Sequence, residues 1–536
     1  MDKNTIKKYA VWARNELIAR ASQKAQQYGI TAEGYGDKNA DSINGVLLSA
    51  TEKKQRQALI AKIDAEGFEQ VMEEVAYTWF NRFTALRFME VNNYLPSHTR
   101  VFTNEANEFK PQILADAISL ELEGLDMDKV YELKEANKDE ELYKYLLIVQ
   151  CNALSSILPG MFQKIADYTE ILLPDYLLRE GSVIEQLISL IPEDNFDMNT
   201  ENGQVEIIGW LYQYYISEKH EEVVDPLHGK VVKKEEVPAA TQLFTTDWVV
   251  RYIVDNSVGR YWIERNPQSK LDKELKYYVS SKSDERQIIN ETIKPQDLTV
   301  FDPCVGSGHF AVYAFEVLMK IYVEYGYSER EAAAEIVANN IFGLDIDGRA
   351  AQLAYFAIMM KARQYDRRFF QRQIQPQIYE ITESNGIDKL TIDYFCDGKN
   401  SLEEIINKIL LSMKDAKEYG SIIQMPEVDY SILTDRLEEI RHEISIFKVG
   451  IDDINNLINV CRLLSKKYAV VATNPPYLNK YDDKLKEYIN LYYKDYSGDL
   501  FSVFIYRNFS FCVSGGYSGF MTPFVWMFIQ TYEKLR

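Results

Sequence analysis

Residues 1–240 read as a succession of amphipathic helices, and from about 241 the pattern changes to short apolar runs alternating with helices. The stretch Phe68 to Val91 carries Val71, Val75, Trp79, Phe83 and Leu86 near helical spacing, one apolar stripe on an otherwise polar helix. Pro96-Ser97-His98 ends that element, and further helices are predicted over Leu142 to Leu158 and Tyr176 to Ile191. The polar stretch from Glu218 to Pro238 reads as a linker. Beyond it, Thr299-Val300-Phe301 and Tyr468-Ala469-Val470-Val471-Ala472 have the continuous apolar character of buried strands, and Ala311 to Val323 that of a helix. The pattern therefore predicts an all-α domain over 1–240 followed by an α/β doubly wound sheet over 241–536. A charged, helical insertion at about 397–467 is expected between the third and fourth strands, and no internal repeat or low-complexity tract is evident.

Two strand ends carry the chemistry. After the first, Asp302-Pro303-Cys304-Val305-Gly306-Ser307-Gly308-His309-Phe310 places small residues where a backbone must approach a ligand closely, at the start of a helix. The next strand ends in acids, Asn340-Ile341-Phe342-Gly343-Leu344-Asp345-Ile346-Asp347, with Asp345 placed to hold two ribose hydroxyls. After Ala472 comes Asn474-Pro475-Pro476-Tyr477, a stiff turn rich in acceptors. The Asn474 side-chain oxygen and a backbone carbonyl can each accept one N–H of a planar amine, the prolines hold them still, and Tyr477 offers a ring to stack on. Such a site draws the nitrogen lone pair out of conjugation and aims it at an electrophile, the demand of amino-group methylation.

DPCVGSGHF, LDID and NPPY, in that order, resemble motifs I, II and IV of the S-adenosylmethionine-dependent DNA adenine-N6 methyltransferases. Gln242 to Val250 is similar to that group's motif X, with Thr246 where the family usually has proline. Ile207 to Tyr215 and Asn81 to Phe88 resemble the helical leader of the large BREX phage-exclusion methyltransferases. The resemblance implies a Rossmann-like methyltransferase sheet and S-adenosyl-L-methionine as cofactor. It places Asp302, Gly306, Ser307, Gly308 and Phe310 around the methionine end, with Thr245 beside them. Asp345 would take the ribose and Ile346 the adenine, with Glu383 and Ser384 preferred over Asp393-Tyr394-Phe395 as the third adenine contact. It also implies a catalytic set of Asn474, Pro475, Pro476 and Tyr477, double-stranded DNA with a flipped adenine as substrate, and other phage-defence proteins as partners.

Composition adds a cytoplasmic setting and one objection. Five scattered cysteines without a C-x-x-C pair suggest neither a disulfide framework nor a zinc site, and no run reaches the length of a membrane span. Sixty basic against 81 acidic residues leave a formal charge of −21, unlike the basic footprint of most DNA binders. Local basic strips exist at Lys361 to Arg372 and at Lys230 with Lys233 and Lys234, the first reading as a solvated helix end more readily than a phosphate track. Trp526 to Arg536 reads as the middle of a helix, so this sequence is expected to be the front part of a longer enzyme or one half of a split gene.

Competing readings are bland. Gly306-Ser307-Gly308 lacks the third glycine of a nicotinamide fingerprint, and Asp345 lies well beyond the roughly 20 residues that fingerprint expects. Asp347 is expected to be a solvated turn acid, the bland alternative for Asp345 as well. Glu132-Leu133-Lys134 with Asp126 matches a nuclease pattern only as triplets do by chance in a highly charged chain. Methylation of a protein glutamine or an RNA, or a cofactor-binding module that modifies nothing alone, are the functional alternatives.

Overall fold

The computed structural model describes residues 3–163, 165, 167–200, 203–223, 232, 236–241, 245–280, 289, 291–441, 443 and 447–536. Most of the expected linker, Lys230, Lys233 and Lys234, and Gln242-Leu243-Phe244 lie outside the described residues. The chain divides into two compact units, Met1–Glu218 and Lys219–Arg536.

The first unit is helical. Helix α1 (Lys3–Gln27) buries Ile6, Tyr9, Ala10, Ala13, Leu17, Ala21 and Ala25 at three- and four-residue spacing, and its alanines let it lie close along α2 (Phe68–Val91). The five predicted stripe residues of α2 are all buried. Its last turns are buried almost all round, because Arg87 and Glu90 face inward as an ion pair of 2.6 Å. Glu90 Oε2 also accepts the amides of Val101 and Phe102 at 2.9 Å, so the charge is fully bonded in spite of its burial. The predicted helix from Tyr176 begins only at Val183: Gly181 turns the chain at φ +78° and Ser182 caps the helix by accepting from Glu185 N. Asp126 likewise caps the helix Met127–Glu135, accepting from the Asp128 amide, which accounts for it without nuclease chemistry.

The second unit is built on five parallel strands, β1 (Val300–Asp302), β2 (Ile341–Asp345), β3 (Gln377–Glu380), β4 (Tyr468–Thr473) and β5 (Cys512–Phe520), in the spatial order β3-β2-β1-β4-β5. β1 and β4 are buried throughout, which is why they read as unbroken apolar runs. Helices cover both faces, as parallel strands require: α3 (Asp247–Val254), α4 (His309–Tyr325) and α5 (Gly348–Tyr365) among them. The predicted α/β doubly wound architecture with a large helical leader is the one observed.

Much of the charged stretch expected to interrupt the sheet is part of its covering layer. Helix α6 (Lys448–Ser465) contributes Ile454, Leu457, Ile458, Val460, Leu463 and Leu464 to one core with Phe301, Phe342, Leu344 and Val471. The chain then runs through α7 (Asp483–Tyr492) and α8 (Leu500–Phe511). The helix expected over Trp526 to Arg536 is instead two short 3-10 turns, Phe524–Met527 and Gln530–Tyr532. Among the described residues, no helix is long and apolar enough to cross a membrane.

Candidate active site

Parallel pairing fixes where the motifs lie. Val300 and Phe301 of β1 pair with Val470 and Val471 of β4, so Asp302 and Thr473 end adjacent strands on the same edge of the sheet. β2 pairs on the other side, Asp302 beside Gly343, and carries Asp345 to that same edge. The glycine turn, the acid-ended strand and the Asn-Pro-Pro-Tyr turn thus share the C-terminal edge of three neighbouring strands, where open α/β sheets take their ligands.

Asp302 is buried, and its Oδ1 accepts the Cys304 amide at 3.0 Å. Its Oδ2 finds no hydrogen bond of good geometry, although the Thr473 hydroxyl is close enough to favour the charged form. Burial prevails and pushes this carboxyl up to about 7. Gly306 adopts φ +53° with open space where a side chain would project, and Gly308 adopts φ +92° with the Ala354 backbone of α5 only 3.0 Å from such a position. The first glycine leaves open space beside the turn; the second lets α4 dock on α5. Ser307 is partly exposed in the turn and Phe310 is buried in the first turn of α4.

Asp345 closes the same corner. Its Oδ2 accepts the Gly306 amide and its Oδ1 the Asp347 amide, both at 2.8 Å. Crowding by protein, reinforced by Asp347 and Glu380, pushes it to about 7 while part of the residue still reaches solvent. Asp347, expected to be solvated, is instead buried: it caps α5 through the Arg349 amide and pairs with the Arg349 side chain at 2.9 Å. Ile346 packs against the helical core beside Gly420, whose Cβ position would lie 3.2 Å from it.

Glu383 and Ser384 are tied to the last turn of the helix Asn400–Ser412 and to the segment after it. Glu383 Oε1 accepts the Lys417 amide at 3.1 Å, and Ser384 donates from its amide to Met413 O and from its hydroxyl to Leu410 O. The Ser384 hydroxyl keeps only acceptor capacity for a ligand.

At the end of β4, Asn474 Nδ2 donates to Thr245 Oγ1 at 3.0 Å, bringing the segment that resembles motif X against the Asn-Pro-Pro-Tyr turn. Tyr477 Oη lies 3.0 Å from Asn474 Oδ1 and 2.8 Å from Met521 O, two acceptors for one phenolic proton. Burial pushes the Tyr477 phenol up to about 12, so it remains a donor at neutral pH. Its ring stands edge-on to Phe501, 6.0 Å between centroids, and Pro475 is buried beneath the turn. Asp499, the cap of α8, accepts the Leu478 amide at 3.1 Å and fixes the chain leaving Tyr477.

Two contributors carry no signal in the sequence. The fully buried Ser421 donates its hydroxyl to the Pro303 carbonyl, so the turn Gly420–Ile422 braces the glycine turn from within the charged stretch. Met521 O competes for the Tyr477 proton from β5's end. The basic strip is largely spent: Lys361 is buried against Glu316 at 2.6 Å and Arg372 pairs with Asp366 at 2.5 Å, leaving Arg367 and Arg368 exposed.

The chain is 36% identical to the adenine-specific methyltransferase PglX of Lacticaseibacillus casei (strain Zhang) in an alignment spanning all of it and 48% of the relative. It is also 36% identical to the adenine-specific methyltransferase BrxX of Escherichia coli O9:H4 (strain HS), with the same coverage. The chain is homologous to these methyltransferases over its whole length. It spans about half the length of those curated relatives. The Eco57I restriction-modification methylase family model matches residues 339–536, and that of the MmeI DNA-methyltransferase domain residues 279–390. Among solved structures, the type IIL restriction-modification enzyme MmeI in complex with DNA aligns with 82% of this chain and 45% of its own at 14% identity and a TM-score of 0.33.

Proposed function

We propose that this PglX/BrxX homologue is the cofactor-binding and amine-holding part of a DNA adenine-N6 methyltransferase of a BREX-type phage-defence system, acting in the cytoplasm on double-stranded DNA. One observation carries the reading: the carboxamide of Asn474 stands at the end of β4, beside the strand whose glycine turn leaves open space at Gly306. The glycine corner fits S-adenosyl-L-methionine. Asp345 Oδ1 and Oδ2 each use one lone pair on a backbone amide and keep another for a ribose hydroxyl. Asp302, Ser307, Gly308, Phe310 and Thr245 would surround the methionine portion, and Ile346, Glu383 and Ser384 the adenine. When bound, this cofactor supplies an electrophilic methyl group.

The chain's own residues then have to hold the acceptor nitrogen. Asn474 Oδ1 and the Pro475 carbonyl accept the two N–H bonds of adenine N6, and Pro476 stiffens the turn. Extruding the base from a duplex costs a few kcal/mol, and stacking on Tyr477 returns on the order of 1–3 kcal/mol. The net charge of −21 leaves electrostatic DNA affinity to further contacts, among which other phage-defence proteins are included. Incubating the protein with labelled cofactor and separate DNA, RNA and protein substrates tests the reading. Label recovered as N6-methyladenine from DNA supports it; label only in RNA or in protein glutamine rejects it.

A further inference from the structure

Resting on that reading, we infer that Thr245 is a positioning residue for the Asn474 carboxamide and not merely a wall of the cofactor site. An amide that accepts an incoming N–H must keep its plane, because rotation about the last side-chain torsion, which is soft, moves both lone pairs of the oxygen. Asn474 meets a partner at each end: Nδ2 donates to Thr245 Oγ1 at 3.0 Å, and Oδ1, 3.0 Å from the Tyr477 hydroxyl, shares its one proton with Met521 O.

Thr245 sits at the start of a well-anchored segment. It is buried, 5% exposed, and lies two residues before α3, whose Ile253 fills the space left by Gly519 of β5. Just beyond α3, Asp255 Oδ1 accepts the Tyr313 hydroxyl of α4 at 2.9 Å, so the helix that follows Thr245 is pinned to both the strand beside β4 and the helix of the glycine turn. A hydroxyl fixed in this way sets the plane of the amide before substrate arrives. Removing the hydroxyl while keeping the side chain's shape, and with it the wall given to the methionine portion, therefore acts on turnover more than on cofactor affinity.

Thr245→Val keeps the shape and removes the hydroxyl, and Thr245→Ser keeps the hydroxyl. Transfer to DNA is expected to fall about ten- to a hundredfold in kcat for Thr245→Val, with cofactor Kd by calorimetry within about twofold and Thr245→Ser close to wild type. A Thr245→Val protein with undiminished kcat, or one whose Kd weakens in step with kcat, overturns the inference. A second readout needs neither DNA nor turnover: the Asn474 side-chain NH2 resonance in 15N-asparagine-labelled protein, assigned by its absence in Asn474→Ala, should shift in Thr245→Val and hold in Thr245→Ser. An unmoved resonance in Thr245→Val refutes the contact. Wild-type protein that leaves DNA unmodified defeats the adenine reading, and the resonance still decides this one.

Discussion

The Gly306 amide donates to Asp345 Oδ2 across 2.8 Å, so the turn after β1 and the acid at the end of β2 form one hydrogen-bonded corner. A ligand that binds Asp345 therefore also feels the conformation of the glycine turn.

Because a diol donates to the charged carboxylate, and this carboxyl is pushed up to about 7, cofactor affinity is predicted to rise with pH. Calorimetry at pH 6 and pH 8 should show roughly a tenfold tighter Kd at the higher pH, the change expected for one group with a pKa near 7. Asp345→Asn should bind weakly at both and lose most of that dependence. Stability runs the other way: Asp302 and Asp345 hold protons in the fold that the unfolded chain releases near 3.8, so their contribution declines as pH rises from there to about 7.

The two glycines of the turn should fail differently. Gly306→Ala adds a methyl to open space and pays only for a left-handed backbone, about 1–2 kcal/mol. Gly308→Ala meets the same strain and drives its methyl to 3.0 Å from Ala354, adding about 1–3 kcal/mol of overpacking. Denaturant unfolding measures the gap, and equal losses in the two variants contradict the packing described for α4 on α5.

Ser421→Ala should weaken cofactor binding from outside the motifs. It leaves the Pro303 carbonyl without its buried donor, a loss of about 1–3 kcal/mol in stability. Cofactor Kd measured beside unfolding tests whether the glycine turn relaxes; an unchanged Kd with intact stability shows that the brace is idle.

The strands and the order of the motifs were legible because buried parallel strands are apolar runs and the turns that follow them need glycine, proline and acids. Contacts that join distant segments were not. Ser421 meets Pro303 across 118 residues and Asn474 meets Thr245 across 229; the serine does not differ in sequence from a solvated one, and the resemblance that set Thr245 beside the cofactor carried no contact with Asn474. Asp347 misread for a related reason: a helix-capping acid and a solvated turn acid have the same local signature. The stretch from Tyr176 failed as a helix because apolar spacing ran through Gly181, where the backbone turns.

The clamp on the target amine is tested most directly by the N6-methyladenine content of DNA incubated with wild-type and Asn474→Ala protein, with cofactor Kd measured on the same preparations. The expected result is N6-methyladenine from wild type only, at nearly equal Kd for both proteins. Undiminished N6-methyladenine from Asn474→Ala would contradict the role given to that carboxamide.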